Sequence, residues 1–447
     1  MALYCKPFST FVVSSFALGK PMMRFHSRFL NQSSLKTEIL AGITTFLTMA
    51  YIAFVNPTIL QEAGMEPGGV FTATCLVTAF ACAFTGLYAN TPIGVAPGMA
   101  LNIYFTYGVV QGMGVDWQHA LAMVFISGMM FLLLTLTRLR RLLIESIPHN
   151  LQVAILIGIS LLIALIALHS NQLIIANPHT LMALGNLASM QSGLFIIGFL
   201  IILILDYYRI PAAIIIGILI ISSLSLLLGL TPWRGIVALP PSMETSWLKL
   251  DFSGFNNVAA LKATFTFFLI AVFDATGTLI GLLNQSVFKN EDDYQQRLSK
   301  SLTADAAASA LAGLLGSAST SPYIESAAGI EAGGRSGLTA LVIAAGFILM
   351  LFFFPLAQMI PSYAVGPALL YVACSMMKHV TDLKLTDFTE IAPSMLTIML
   401  IPFTSSIADG IGSGIILYTV LKVVTRQSIN PLLFILSLLF IIFFAIS

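Results

Sequence analysis

Apolar segments recur along this chain at lengths that only a bilayer accommodates. A helix crossing the hydrocarbon core needs about 20 mostly apolar residues. Eleven stretches fit, at 39–60, 70–90, 118–137, 148–169, 192–208, 211–229, 263–284, 337–357, 363–378, 391–405 and 409–425. Two more, 91–110 and 318–334, are too rich in Gly and Pro to be ordinary spans, and 302–316 is rich in Ala around Asp305. Together these make fourteen segments. A final apolar stretch, 431–446, either crosses as well, packs against the bundle or lies at the interface; the sequence leaves these open.

Composition closes the other classes. Hydrophobic residues make up 58% and charged residues 9% of 447, where a soluble domain carries roughly 25% charged. Soluble, disordered, collagen-like and nucleic-acid-binding readings fail on these numbers. The net charge of +1 implies no strongly charged partner. Cys5, Cys75, Cys82 and Cys374 form no close pair and read as small apolar residues, not as disulfides or a metal site. The six histidines sit at segment ends or in loops, and no Walker loop, Ser-His-Asp set or HExxH occurs. No cofactor, metal or enzymatic centre is expected. Alternating β patterning is absent, which speaks against a barrel. The expected class is an all-α polytopic membrane protein.

Orientation follows from the basic residues. With a cytoplasmic N-terminus and fourteen crossings, 17 of 20 Lys and Arg fall inside and only Arg234, Lys249 and Lys262 outside. The C-terminus is then cytoplasmic, and a fifteenth span would put Ser447 outside. Residues 1–28 are expected to be a disordered leader. Within them Phe8 to Leu18 is too short and weak to span, and no convincing cleavage site follows. A start at Met22 or Met23 is an alternative.

The chain reads as two halves. Ala89 to Gly98 can be laid on Ser319 to Ala328 with Pro92 on Pro322, an offset of 230 residues. Ile147-Pro148 opens span five and Ile360-Pro361 span twelve, while the Thr-rich starts of spans one and eight also correspond. Seven spans per half is odd, so the second half sits inverted, as in many secondary transporters. In the third span of each half, Thr91 to Val95 and Ser319 to Tyr323 favour extended chain. Pro97 and the Ser326 run can then start half-helices. Extended backbone survives in a bilayer only when buried in protein or lining a cavity, so both stretches are expected near the midplane. Two ordinary helices with proline kinks remain the simpler alternative.

Asp274, Asp305, Glu325 and Glu331 fall well inside apolar segments. An ionisable group at that depth costs at least ~2.5 kcal/mol and is a functional candidate by default. Glu325 lies where extended chain meets its half-helix, and a helix N-terminus stabilises a carboxylate. Asp274 lies mid-span, with Thr278 one turn on along the same face. Asn102, one turn into the other half-helix, can both donate and accept. Tyr323 and Phe273 offer aromatic faces. Glu331, four residues before Arg335, reads as structural; Asp305 reads equally as structural or functional; Asp409 reads as a solvated residue near an external loop.

Four motifs carry a family resemblance: Met49 to Leu60, Ala96 to Phe105, Phe273 to Gly281, and Tyr323 to Gly329 with Gly333 to Ala340. They resemble the AzgA-like purine permeases, a branch of the nucleobase–ascorbate (nucleobase–cation symporter-2) transporters. The resemblance runs from about Phe29 to Lys422. It implies a uracil-permease-type fold of 7+7 inverted spans, with spans 3 and 10 each a short β-strand plus half-helix. It implies a core domain of 29–137 and 255–358 and a gate domain of 138–254 and 359–447, the core moving against the gate in elevator-like alternating access. It also implies proton symport of adenine, guanine and hypoxanthine, and a homodimer in the cell membrane. Asp274 and Glu325 match the acidic binding positions of spans eight and ten and are the proton-coupling candidates. Asn102 matches the polar position of span three. Ala100, Ser319, Ser321 and Pro322 depart from the family pattern without threatening the fold. An anion or sulfate-type carrier on the same fold, an uncoupled channel and a membrane-bound enzyme are the competing readings; two cavity-facing acids argue against an anion.

Overall fold

The computed structural model describes residues 33–137, 146–177, 180–210, 212–256, 258–283, 291–384, 386–404 and 406–446. The expectations for the leader at 1–28 lie outside these residues. So do the orientation votes of Lys6, Lys20, Arg24, Arg28, Arg138, Arg140, Arg141 and Lys289.

Span one is broken into α1 (Leu35–Met49) and α2 (Ile52–Gln61). The hydrogen-bond ladder resets at Ala50 and Tyr51, where Ala53 and Phe54 donate three residues back. Pro57 lies inside α2, where it removes a further donor. Helix α3 (Pro67–Phe84) starts on Glu66, whose carboxylate accepts from the Gly68 and Gly69 N–H groups, and it runs on as a π-turn to Ala89. The third segment is strand β1 (Val95–Pro97) followed by α4 (Met99–Ile103), continued by a π-helix over Tyr104–Gln111. Next come α5 (Trp117–Leu136), α6 (His149–Ser170), a hairpin of β2 (Ile174–Asn177) and β3 (Leu181–Leu184), α7 (Met190–Tyr207) and α8 (Ala213–Leu227).

The second half repeats the plan. It has α9 (Val258–Leu283), α10 (Glu291–Leu315), strand β4 (Thr320–Pro322) with α11 (Ser326–Glu331), α12 (Gly337–Met350) and α13 (Phe354–Gln358). Then follow α14 (Ser362–Met376), α15 (Phe388–Thr404), α16 (Ile407–Val424) and α17 (Pro431–Ile446). All fourteen expected segments are present. The undecided tail is a helix, α17, packed against α16 and α9.

The inverted repeat is visible in hydrogen bonds. Strands β1 and β4 pair antiparallel, Ala96 opposite Ser321. The Gly98 N–H donates to the Ser319 carbonyl, and the Tyr323 N–H to the Gly94 carbonyl, each at 2.9 Å. These two bonds exchange under one two-fold relation that carries Ala96 to Ser321 and Pro97 to Pro322. The offset is therefore 225 residues, and the expected match of Pro92 to Pro322 is five residues out of register. Pro97 likewise belongs to the strand, and the half-helix begins after it, with Gly98 at its cap. The Pro148 and Pro361 match holds: each caps the helix that follows, α6 and α14.

Packing respects the same symmetry. Helix α5 runs along α10, and α3 along α12; α6 packs on α14 and α15, α7 on α8 and α14, α15 on α16. Small residues make the first two contacts possible. A Cβ on Gly128 of α5 would stand 2.5 Å from the Ala310 backbone nitrogen of α10, and one on Gly86 2.5 Å from the Gly337 carbonyl oxygen. The helices of spans one to four and eight to eleven thus form one packed set, and spans five to seven and twelve to fourteen another. The two sets meet along α1–α8, α2–α14, α4–α6 and α9–α16. At the α9–α16 contact Lys262 Nζ lies 2.8 Å from Asp409 Oδ1 and 4.8 Å from the centre of the Phe444 ring of α17. Asp409, expected to be solvated, is therefore an ion-pair partner across that seam.

The connection from α8 to α9 lies over one end of the first set. Pro241 accepts from Thr72 Oγ1 (3.1 Å), the Leu248 N–H donates to the Leu314 carbonyl (2.9 Å), and the Asp251 N–H to the Gln118 carbonyl (3.2 Å). The Asp251 carboxylate accepts from the Ser253 N–H at 2.8 Å, which holds it below the usual carboxylate range, with His119 3.4 Å away adding to the effect.

Candidate functional site

Two three-residue strands, fully buried, cross inside the first helix set. Around them the sequence-derived residues fall into place unequally. Glu325 caps α11, half-buried, directly after β4. Its Oε1 accepts from the Tyr51 hydroxyl at 2.8 Å. Tyr51 is 1% exposed and comes from the reset between α1 and α2. Helix α11 has only six residues and opens with bonds three residues back, from Ser326, Ala327 and Ala328. Its macrodipole is correspondingly slight, because that field needs several aligned peptide units. The phenol is the contact that holds Glu325.

Asp274 is half-buried on α9, and its carboxyl faces the Ser321 hydroxyl of β4. Thr278, one turn on, is half-buried on the same face. Continuing along that face, a Cβ added at Gly277 or Gly281 would meet no atom of the other described elements within 4 Å. Among the described residues, the strip from Asp274 toward the end of α9 therefore borders open space. On the other side, Ile324 is 48% exposed between buried Tyr323 and half-buried Glu325. An exposed isoleucine beside a carboxylate inside a membrane bundle marks the wall of a cavity or a lipid face.

Asn102 is brought to the same crossing by α4, whose Gly98 carbonyl accepts its N–H at 2.9 Å. Its side chain is fully buried, and neither amide atom has a hydrogen-bond partner. Leaving one buried polar atom unpaired costs about 1–3 kcal/mol, which makes an amide with both ends unpartnered a candidate ligand contact. Tyr323, expected to offer an aromatic face, also has a structural bond. Its hydroxyl donates to the Pro97 carbonyl at 2.7 Å, tying β4 to the end of β1. Phe273 is 5% exposed and packs in the apolar core beside Asp274.

The remaining acids separate. Asp305 is fully buried on α10; Oδ1 accepts from Thr320 Oγ1 at 2.7 Å and Oδ2 has no partner. Thr320 and Ser321 are neighbours on β4 and point to opposite faces, so Asp305 and Asp274 flank the strand. Glu331 is exposed, and Arg335 turns instead onto the Ile330 and Gly334 carbonyls, at 2.6 and 2.9 Å. Arg335 is thus a cap for the end of α11. Glu38, unremarked in the sequence, is fully buried at the start of α1. It accepts from Thr339 Oγ1 (2.5 Å), from the Arg335 N–H (3.1 Å) and from Ser33, pinning α1 to the start of α12.

Tyr51 is the contact of the candidate site that sequence reasoning missed; the sequence singles out Ser321 as a departure from the family pattern that could alter preference among purines. Tyr51 had one available signal. A mid-span tyrosine has a hydroxyl that must find a partner when buried, and the only acids at that depth were few.

Comparison with known proteins shows the family and the fold. The sequence profile described as the Permease family (Xan_ur_permease) matches residues 36–412. The chain belongs to this permease family. It is 41% identical over 409 residues to the adenine permease AdeP of Escherichia coli, covering 91% of this chain and 92% of that one. It is 38% identical over 422 residues to the guanine/hypoxanthine permease PbuO of Bacillus subtilis, covering 92% and 97%. Among solved structures, the transmembrane domain of a cyanobacterium bicarbonate transporter, BicA, superposes with a TM-score of 0.65 at 15% identity, over 85% of this chain and 98% of that chain. The fold is that of the uracil-permease type, all-α and polytopic, and the protein is a multi-pass membrane permease, not an enzyme.

Proposed function

We propose that this permease imports purine nucleobases, namely adenine, guanine and hypoxanthine, by proton symport across the cell membrane. The observation that carries the proposal is the placement of three polar side chains about the paired strands: Glu325 at the start of the short helix after β4, Asp274 facing Ser321 of β4, and the unpartnered amide of Asn102 in the short helix after β1. A flat base offers ring and amino N–H donors along one edge and carbonyl or ring-nitrogen acceptors elsewhere. Glu325 accepts the donors, and the unpaired Asn102 amide meets an acceptor–donor pair. The names of the relatives point to the same substrates.

Asp274 is assigned the proton, since its carboxyl faces a neutral hydroxyl, Ser321, and lies at the start of the open strip of α9. Thr278 lines that strip; Tyr323 and Phe273 shape the site through the strand tie and the packing already described. Core (29–137, 255–358) and gate (138–254, 359–447) domains move against each other, carrying the site across in an elevator-like step. The symmetric packing of the two helix sets supports that division. Both termini are cytoplasmic, the open strip then faces the cytoplasm, and the protein works as a homodimer. An anion carrier, suggested by the fold of BicA, fits less well, because a carboxylate pair repels an anion.

The test is uptake of radiolabelled hypoxanthine, competed by a panel of purines and pyrimidines, with and without a proton uncoupler. Purine-selective, uncoupler-sensitive uptake is expected. Uptake insensitive to the uncoupler contradicts symport, and competition by anions alone contradicts the substrate class.

A further inference from the structure

The purine reading leaves one contact unused, the phenol of Tyr51 on Glu325, and this inference rests on that reading. Tyr51 is 1% exposed and cannot be a casual surface contact. Its ring lies 6.3 Å from that of Tyr323, tilted by 47°. Tyr323 is in turn fastened to the Pro97 carbonyl. The chain around Tyr51 is also fixed, because its own carbonyl accepts from the Phe54 and Val55 N–H groups, both at 3.0 Å. Thr48, one turn earlier, places its hydroxyl 3.5 Å from the Glu325 carbonyl. The phenol is thus presented to Glu325 Oε1 by a scaffold that does not depend on the ligand.

We propose that Tyr51 is a specificity-determining residue: by engaging one oxygen of Glu325 it weakens that oxygen as the acceptor for the second of two parallel donors on a base. A free carboxylate accepts two parallel N–H donors as a fork, which adds both energy and geometric selectivity. Guanine presents such a pair, N1–H beside the 2-amino group. Hypoxanthine presents N1–H alone on that edge. With one lone pair of Oε1 taken by Tyr51, the second guanine donor shares that oxygen with the phenol and gains less from it. The site then binds the two bases with similar strength. The first repeat in this way controls the selectivity of a carboxylate supplied by the second.

The experiment measures KM and Vmax for guanine and hypoxanthine uptake in the full-length wild type and in Tyr51→Phe, at matched membrane abundance. The wild type is expected to show KM values within about threefold of each other. In Tyr51→Phe the guanine KM falls about tenfold relative to that of hypoxanthine, which is about 1.4 kcal/mol, with the ratio of Vmax values unchanged. A merely structural role for Tyr51 moves both KM values together. An unchanged guanine-to-hypoxanthine ratio in the variant overturns the proposal while leaving purine transport standing. If Tyr51→Phe fails to reach the membrane, the wild type decides alone, since a tenfold or greater preference for guanine means an open fork and overturns it. Absence of saturable wild-type uptake of guanine and hypoxanthine overturns this inference, and absence of adenine uptake as well overturns the purine reading with it.

Discussion

The two broken segments are related by one two-fold, yet they carry opposite chemistry. Under the register that places Pro97 on Pro322, the counterpart of Glu325 is Ala100, and that of Asn102 is Ala327. The first repeat supplies neutral groups, the buried Asn102 amide and the Tyr51 phenol. The second supplies the carboxylates, Asp274, Asp305 and Glu325. The backbone of each strand is satisfied by the other, through the paired bonds of Gly98 and Tyr323. Symmetry therefore builds the frame, and asymmetry builds the site. A site made of two carboxylates facing each other would repel itself in a low-dielectric interior; an amide opposite a carboxylate offers donors and acceptors without that cost.

This contrast can be broken from either side. The largest effect belongs to the carboxylate. Glu325→Ala removes the acceptor and is expected to abolish uptake while the protein still reaches the membrane, as checked by labelled hypoxanthine uptake and surface quantitation. Asp274→Asn keeps the shape and removes the titrating group. Uptake in that variant is expected to lose its dependence on external pH, and a wild-type pH profile would reassign the proton. The neutral side is worth less. Asn102→Ala is expected to raise the KM about tenfold with Vmax kept, a loss of one hydrogen bond at about 1–3 kcal/mol; an unchanged KM would make the amide a packing residue. Smallest is the frame itself. Tyr323→Phe deletes the bond to the Pro97 carbonyl and is expected to cost about 1 kcal/mol of stability, read as a lower thermal midpoint in detergent with substrate selectivity intact.

Much of this was legible in the residues because a bilayer allows few solutions. Fourteen segments follow from apolar length, and all fourteen are there. The two crossing strands follow from the Gly and Pro content of 91–110 and 318–334, since an unpaired backbone cannot sit in hydrocarbon. Glu325 and Asp274 stood out through the cost of burying charge. The register did not. Three-residue strands have no period to read, and prolines at both 92 and 97 gave two plausible matches to Pro322. Tyr51 was hidden among twelve tyrosines in a chain where aromatics mostly pack. The pairing of Asp409 with Lys262 joins residues 147 apart, a long-range contact that no local pattern announces. The role of Asp305 stayed open between structural and functional because its apolar stretch, 302–316, begins just before it. Helix α10 in fact starts at Glu291, so Asp305 lies four turns inside and is fully buried.

The central claim is that a carboxylate at a strand crossing couples purine entry to protons. It is tested most directly by reconstituting the protein in lipid vesicles, imposing a proton gradient with the acid side outside, and following labelled hypoxanthine. The account predicts accumulation above the external concentration by the wild type, collapse of that accumulation with an uncoupler, and uptake that only equilibrates with Asp274→Asn. Accumulation by Asp274→Asn equal to the wild type, or wild-type uptake that only equilibrates, would contradict it.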